Sequence, residues 1–141
     1  MKYRRVEDGF LVRLDKGEEV INTLTEFVSE KNIHSGLISG IGAIEDATLG
    51  VFNHGLKQYI TRMHRGLLEV SNLRGNVTVR EDTGRPFIHC HVTLASESQE
   101  AIAGHLFQAG VAVTLEVYIK VFEEPLNRRQ DPDMGYSTWQ L

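Results

Sequence analysis

The stretch Val111-Ala112-Val113-Thr114-Leu115-Glu116-Val117-Tyr118-Ile119-Lys120-Val121-Phe122 decides the fold class. Val111, Val113, Leu115, Val117, Ile119 and Val121 alternate with Ala112, Thr114, Glu116, Tyr118, Lys120 and Phe122. Successive side chains of a strand point to opposite faces. A period of two therefore predicts one long strand with one face on a core.

Working outward, shorter strand signals precede it. They run from Phe10 to Leu14, Ser35 to Ser39 (leading into Gly40-Ile41-Gly42-Ala43), Ala47 to Phe52, Gln58 to His64, Leu67 to Leu73 and Val77 to Arg80. Asp82-Thr83-Gly84-Arg85-Pro86 is a turn cluster, and Phe87 to Leu94 is the next strand. A helix signal spans Gly17 to Lys31, where Val20, Ile21, Leu24, Phe27 and Val28 share one face. Glu18 and Glu19 fall in its first turn and Lys31 near its end, the charges that the helix dipole favours at each position. Consecutive strands with little helix predict an α/β protein of the α+β type. It is expected to be a single compact domain over residues 1–141, with a mainly antiparallel or mixed sheet and helices packed on it. The polar segment from Glu123 to Leu141 is expected to wrap the surface.

The composition suits a globular chain. Of 141 residues, 41% are hydrophobic and 24% charged, enough apolar material for a core without staples. The net charge is -4, which gives no electrostatic footprint for nucleic acid. Cys90 is the one cysteine, so no internal disulfide is available and a reducing compartment is expected. The first residues carry no apolar core of a signal peptide, and no apolar run approaches the ~20 residues of a membrane span. These features predict a cytoplasmic protein with no membrane partner.

The chemistry concentrates on Phe87 to Leu94. Ile88, Cys90, Val92 and Leu94 fall on one face, and Phe87, His89, His91 and Thr93 on the other. His89 and His91 would stand roughly 6.6–6.8 Å apart along the strand. From there both imidazoles can lean onto one ion at bond lengths of about 2.0–2.1 Å. A third candidate is His105 in Ala103-Gly104-His105-Leu106, expected on the connection before the Val111 strand. Three histidines leave a fourth position open, as catalytic zinc sites do. The bland alternative is a pair of hydrogen-bonded histidines on a half-exposed sheet face. His34, His54 and His64 read as loop or strand-end residues.

Several segments together resemble the PPC domain family, the plant and prokaryote conserved domain. They are Gly40-Ile41-Gly42-Ala43, Gly66-Leu67-Leu68-Glu69-Val70, Gly75-Asn76, Arg85-Pro86-Phe87-Ile88-His89-Cys90-His91, Ala103-Gly104-His105-Leu106 and Thr114-Leu115-Glu116-Val117. The resemblance runs from about Arg13 to Asp131. It implies a homotrimer of PPC-like subunits and, in many prokaryotic members, a divalent metal site, carried here onto His89, His91 and His105, with zinc as the expected ion. The family usually has two glycines before the third histidine, where this chain has Ala103-Gly104. Plant members join the domain to DNA-binding AT-hooks. Gly84-Arg85-Pro86 matches an AT-hook core but lacks flanking basic residues, and it reads as a turn.

Gly40-Ile41-Gly42 lacks the third glycine of a dinucleotide fingerprint. Glu69 and Glu116, both on strands, are candidates for orienting a histidine or acting as a general base. Cys90 points away from the histidines and reads as core. Arg128, Arg129 and Asp131 could form ion pairs between subunits or be solvated. Two functions follow: a metal-dependent enzyme or small-molecule binder of unspecified reaction, or, less favoured by the charge, a DNA-binding regulatory module.

Overall fold

Separate strand signals fuse into long ribbons in the computed structural model, which describes residues 1–141. The order is β1 (Lys2–Val6), β2 (Gly9–Asp15), α1 (Val20–Glu30), β3 (Gly36–Asn53), β4 (Gln58–Arg80), β5 (Pro86–Ala95), β6 (Ala101–Val121), β7 (Asn127–Gln130) and β8 (Ser137–Trp139). The signals at Ser35 and Ala47 belong to β3, and the three from Gln58 to Arg80 belong to β4. Register shifts at Gly40/Gly42, Glu45/Ala47 and Val70/Asn72 bend the ribbons. Such bulges break local alternation without ending a strand, and the division of β3 between Ser39 and Ala47 falls at two of them, whereas β4 pairs without a shift through Arg74-Gly75-Asn76. At one of them Asp46 takes a positive φ of 52° and its Oδ1 accepts from Gly66 N at 2.9 Å across the hairpin.

All eight strands belong to one sheet, ordered β1-β2-β6-β3-β4-β7-β8, with β5 bridging β4 and β6. The ladders β3–β4, β4–β5, β5–β6 and β6–β3 therefore form a closed circuit. All pairs are antiparallel except β4–β7, so the sheet is mixed. One helix packs on it rather than several, because the other segments have strand periodicity and pair with neighbours. Leu24, Phe27 and Val28 of α1 join Ile38, Leu73, Ile88, Cys90, Val92, Leu115 and Ile119 in the core. Each of the Val, Leu, Ile and Phe side chains among them contributes roughly 1.5–3 kcal/mol when fully buried. Glu19 caps α1 through bonds from Ile21 N and Asn22 N, while Glu18 binds the Met1 amino group and Asp15 N.

The Val111 alternation breaks once. Gly42 pairs with Leu115 and Ile44 with Val111, so β6 spends two more residues than β3 over this step. Val113 is pushed out and is 57% exposed. The tail departs from a simple wrap: β7 extends the sheet from β4, and β8 pairs back on β7. No helix is long and apolar enough to cross a membrane.

Candidate metal centre

Strand β5 alternates as its sequence requires. Ile88, Cys90, Val92 and Leu94 are buried on the helix side, and His89 and His91 turn to the other face. Gly75 sits opposite Cys90 in the register. A Cβ there would lie 2.4 Å from the His89 carbonyl oxygen and 2.6 Å from Cys90 Sγ, so glycine lets β4 and β5 close together behind the histidines. Burial pushes the Cys90 thiol up to about 12, which removes it as a thiolate ligand at neutral pH.

His105 belongs to β6 and not to a connection before it. It is the register partner of His91 and, through Gly50, touches β3 as well. The closing of the sheet circuit at this point is what brings the third histidine in. Gly104 stands where strands crowd, with Gly50 O 3.0 Å from the position of an added Cβ.

The ligand-capable nitrogens of His89, His91 and His105 all lie within 4.8 Å of one another. Nε2 of His89 and Nε2 of His91 are 3.2 Å apart. Two nitrogens on one tetrahedral zinc stand about 3.3 Å apart, as follows from the usual bond length. His105 is buried, and its Nδ1 has no hydrogen-bond partner. The donor set thus fits an imidazole-bound ion such as zinc better than magnesium or calcium. Burial, followed by the neighbouring His105, Arg128 and His91, pushes His89 down to about 4. Burial, then His91 and Arg128, does the same to His105. Both are neutral at pH 7, the form that coordinates.

The other sequence candidates stand elsewhere. Glu69 and Glu116 are exposed and border a different hollow, beside Ile41 and Gly42. Gly84 and Arg85 close the loop between β4 and β5, with Arg80 N bonded to Arg85 O, and Pro86 opens β5. Arg129 pairs with Glu81, and Asp131 accepts from the backbone of Asp133 and Met134. Arg128 is the residue whose place the sequence did not reveal. The parallel β4–β7 pairing sets it against Arg80 in the register and lays its guanidinium 4.7 Å from the centre of the Phe87 ring. Its Nη2 is 3.4 Å from His89 Nδ1. The one sequence hint was a basic residue in a polar tail, which says nothing of burial.

Comparison with known proteins agrees with this architecture. The model of the Plants and Prokaryotes Conserved (PCC) domain matches residues 1–123, and the chain belongs to that family. It is similar to a metal-containing protein from Archaeoglobus fulgidus, at 34% identity and a TM-score of 0.86 over 100% of both chains. It is also similar to a Bacteroides thetaiotaomicron protein described as a candidate DNA-binding protein, at 32% identity and a TM-score of 0.92, covering 99% of this chain and 96% of that one. A plant- and prokaryote-conserved protein from Pyrococcus horikoshii is 28% identical with a TM-score of 0.87, over 99% of this chain and 94% of the other. No curated protein matches the chain.

Proposed function

We propose that this protein holds one zinc-like divalent ion through His89, His91 and His105, with a fourth position open to water or a small ligand. The observation that carries the reading is the convergence of three imidazoles from β5 and β6 within 4.8 Å, without a carboxylate among them. Its similarity to the metal-containing archaeal protein supports it. An ion bound there would act as a Lewis acid or lower the pKa of bound water, and the chain's own residues would orient the ligand and shape the cavity beside it. The protein acts as a metal-dependent enzyme or small-molecule binder. It works as a homotrimer of single-domain subunits in the cytoplasm, where the lone Cys90 stays reduced.

A DNA-binding role is the second reading, favoured by the description of the Bacteroides relative. The net charge of -4 weighs against it. Metal analysis of protein purified without chelator or affinity metal tests the first reading. One ion per chain is the expected result, and less than a tenth of an ion, taken as roughly no occupancy, would remove it.

A further inference from the structure

Arg128 is only 6% exposed, yet the arginine ion pairs of the chain belong to Arg13, Arg80 and Arg129. Its Nε has no hydrogen-bond partner. A buried cation without a counter-charge is costly, and one buried against aromatic rings needs an anion to offset it. Beside it lies a cavity of about 320 Å3 that His89 and His105 also border. Phe52, Tyr59, Phe87 and Tyr136 form much of its wall, and no aspartate or glutamate lines it. The other arginine on the cavity, Arg80, is already paired with Asp82. A guanidinium in a fixed plane matches the two oxygens of a carboxylate.

We propose that this cavity takes a small organic carboxylate, whose anionic group pairs with Arg128 and whose apolar body rests on the aromatic wall beside the metal position. The assignment rests on the metal reading of His89, His91 and His105. An oxygen of the same ligand then reaches the position that three histidines leave open. In the protein alone, His89 Nδ1 accepts from Arg128, since an arginine can only donate. A histidine that ligates through Nε2 carries its proton on Nδ1. His89 then no longer accepts, and the guanidinium is left free for the carboxylate. Phosphate suits the site less well, because its charge of about -1.5 to -2 calls for more donors than one unpaired guanidinium and an aromatic wall.

The test uses the whole chain loaded with cobalt(II), whose visible absorption reports its ligands. Benzoate, its neutral isostere benzamide and inorganic phosphate are titrated separately, with metal content measured on every sample. Benzoate is expected to shift the cobalt band and to bind at least about tenfold more tightly than benzamide, a difference in line with a charge-assisted pair. Arg128→Met is expected to keep its metal and lose about tenfold in benzoate affinity, while Arg128→Lys recovers part of it. Equal binding of benzoate and benzamide by the wild type overturns the proposal, as does unchanged benzoate binding by Arg128→Met. If Arg128→Met does not fold, Arg128→Lys decides: it should bind benzoate more weakly than the wild type, and equal binding overturns the proposal. Tighter binding of phosphate than of benzoate overturns the organic class. A wild type that takes up no cobalt overturns the metal reading, and the ligand assignment falls with it. Full cobalt uptake without a benzoate response overturns the ligand assignment alone.

Discussion

Nη2 of Arg128 stands 3.4 Å from Nδ1 of His89, and this one contact ties the tail to the histidine cluster. Because arginine only donates, it fixes His89 as the tautomer with its proton on Nε2. That proton points at Nε2 of His91, 3.2 Å away. A directed chain runs from Arg128 through His89 to His91, while His105 Nδ1 is left unpaired in the interior. The protein's own hydrogen bonds thus serve two of the three histidines and not the third.

Replacing His91 with Ala should empty the metal site without unfolding the chain. His91 is exposed and its backbone pairing with Arg74 and His105 does not depend on its ring. Metal affinity should fall by more than the ~10–100-fold that losing an outer partner costs, and stability of the metal-free protein should stay within ~0.5 kcal/mol. Metal content and a denaturant curve on the same preparation check both. Full occupancy would remove His91 from the site.

Much of this site was legible in the sequence, and the reason is local. Alternation along β5 alone places His89 and His91 on one face with Cys90 on the other, and the structure has them so. His105 was legible as a candidate but not as a strand residue. Its place depends on the β5–β6 pairing, a contact between segments that no local period encodes. Arg128 was not legible as a site residue, because its burial comes from a two-residue parallel pairing of β7 with β4. Val113 shows the limit of periodicity from the other side: the pattern continues through it, and a bulge overrides the pattern.

The metal-free protein should lose stability as the pH falls from about 6.5 to about 4. His89 and His105 have an ordinary value of 6.5 and are pushed down to about 4 in the fold, mainly by burial. Below pH 6.5 the unfolded chain takes up protons on both histidines that the folded chain refuses. Stability therefore falls with falling pH across that window and stops changing on their account below it. Zinc should steepen the loss, since protons compete for the same nitrogens. Denaturant midpoints at several pH values, with and without metal, measure this. A midpoint flat from pH 7 to pH 4.5 would contradict it.

Gly75→Ala should cost about 1–3 kcal/mol, the usual range for overpacking, and should also weaken metal binding. The added methyl would meet the backbone oxygen of His89 at 2.4 Å, an atom that moves only with β5. Shifting β5 displaces the histidine pair from its 3.2 Å spacing. Thermal melts and zinc titrations read the two effects. A variant as stable as the wild type would mean that β4 and β5 are not so closely packed.

Random duplex DNA should bind no more tightly than the micromolar range at about 150 mM salt, which is ordinary non-specific behaviour. The net charge of -4 gives no overall attraction to nucleic acid, and Arg85 sits in a hairpin loop with no neighbouring run of lysine or arginine. Fluorescence anisotropy with a labelled duplex at two salt concentrations is sufficient. Sub-micromolar affinity at physiological salt would restore the DNA-binding reading.

The last prediction concerns assembly. The helix covers one face of the sheet, and the other face carries apolar side chains in the open. Ile41 is 59% exposed, Leu67 51%, Leu11 48% and Leu37 43%. Leu11 and Ile41 border the same groove on this face, which Arg4, Arg13 and Glu116 also line. Large apolar side chains left exposed on one face mark an interaction site. A homotrimer would cover it with identical copies arranged about a closed axis. Native mass should therefore correspond to three chains of 15.9 kDa. Ile41→Asp should lower the mass while leaving the β-rich circular dichroism spectrum intact, because the side chain lies outside the core. Light scattering at micromolar concentration settles the state. A monomer mass for the wild type would sink the trimer, and a trimeric Ile41→Asp would place the interface on another surface.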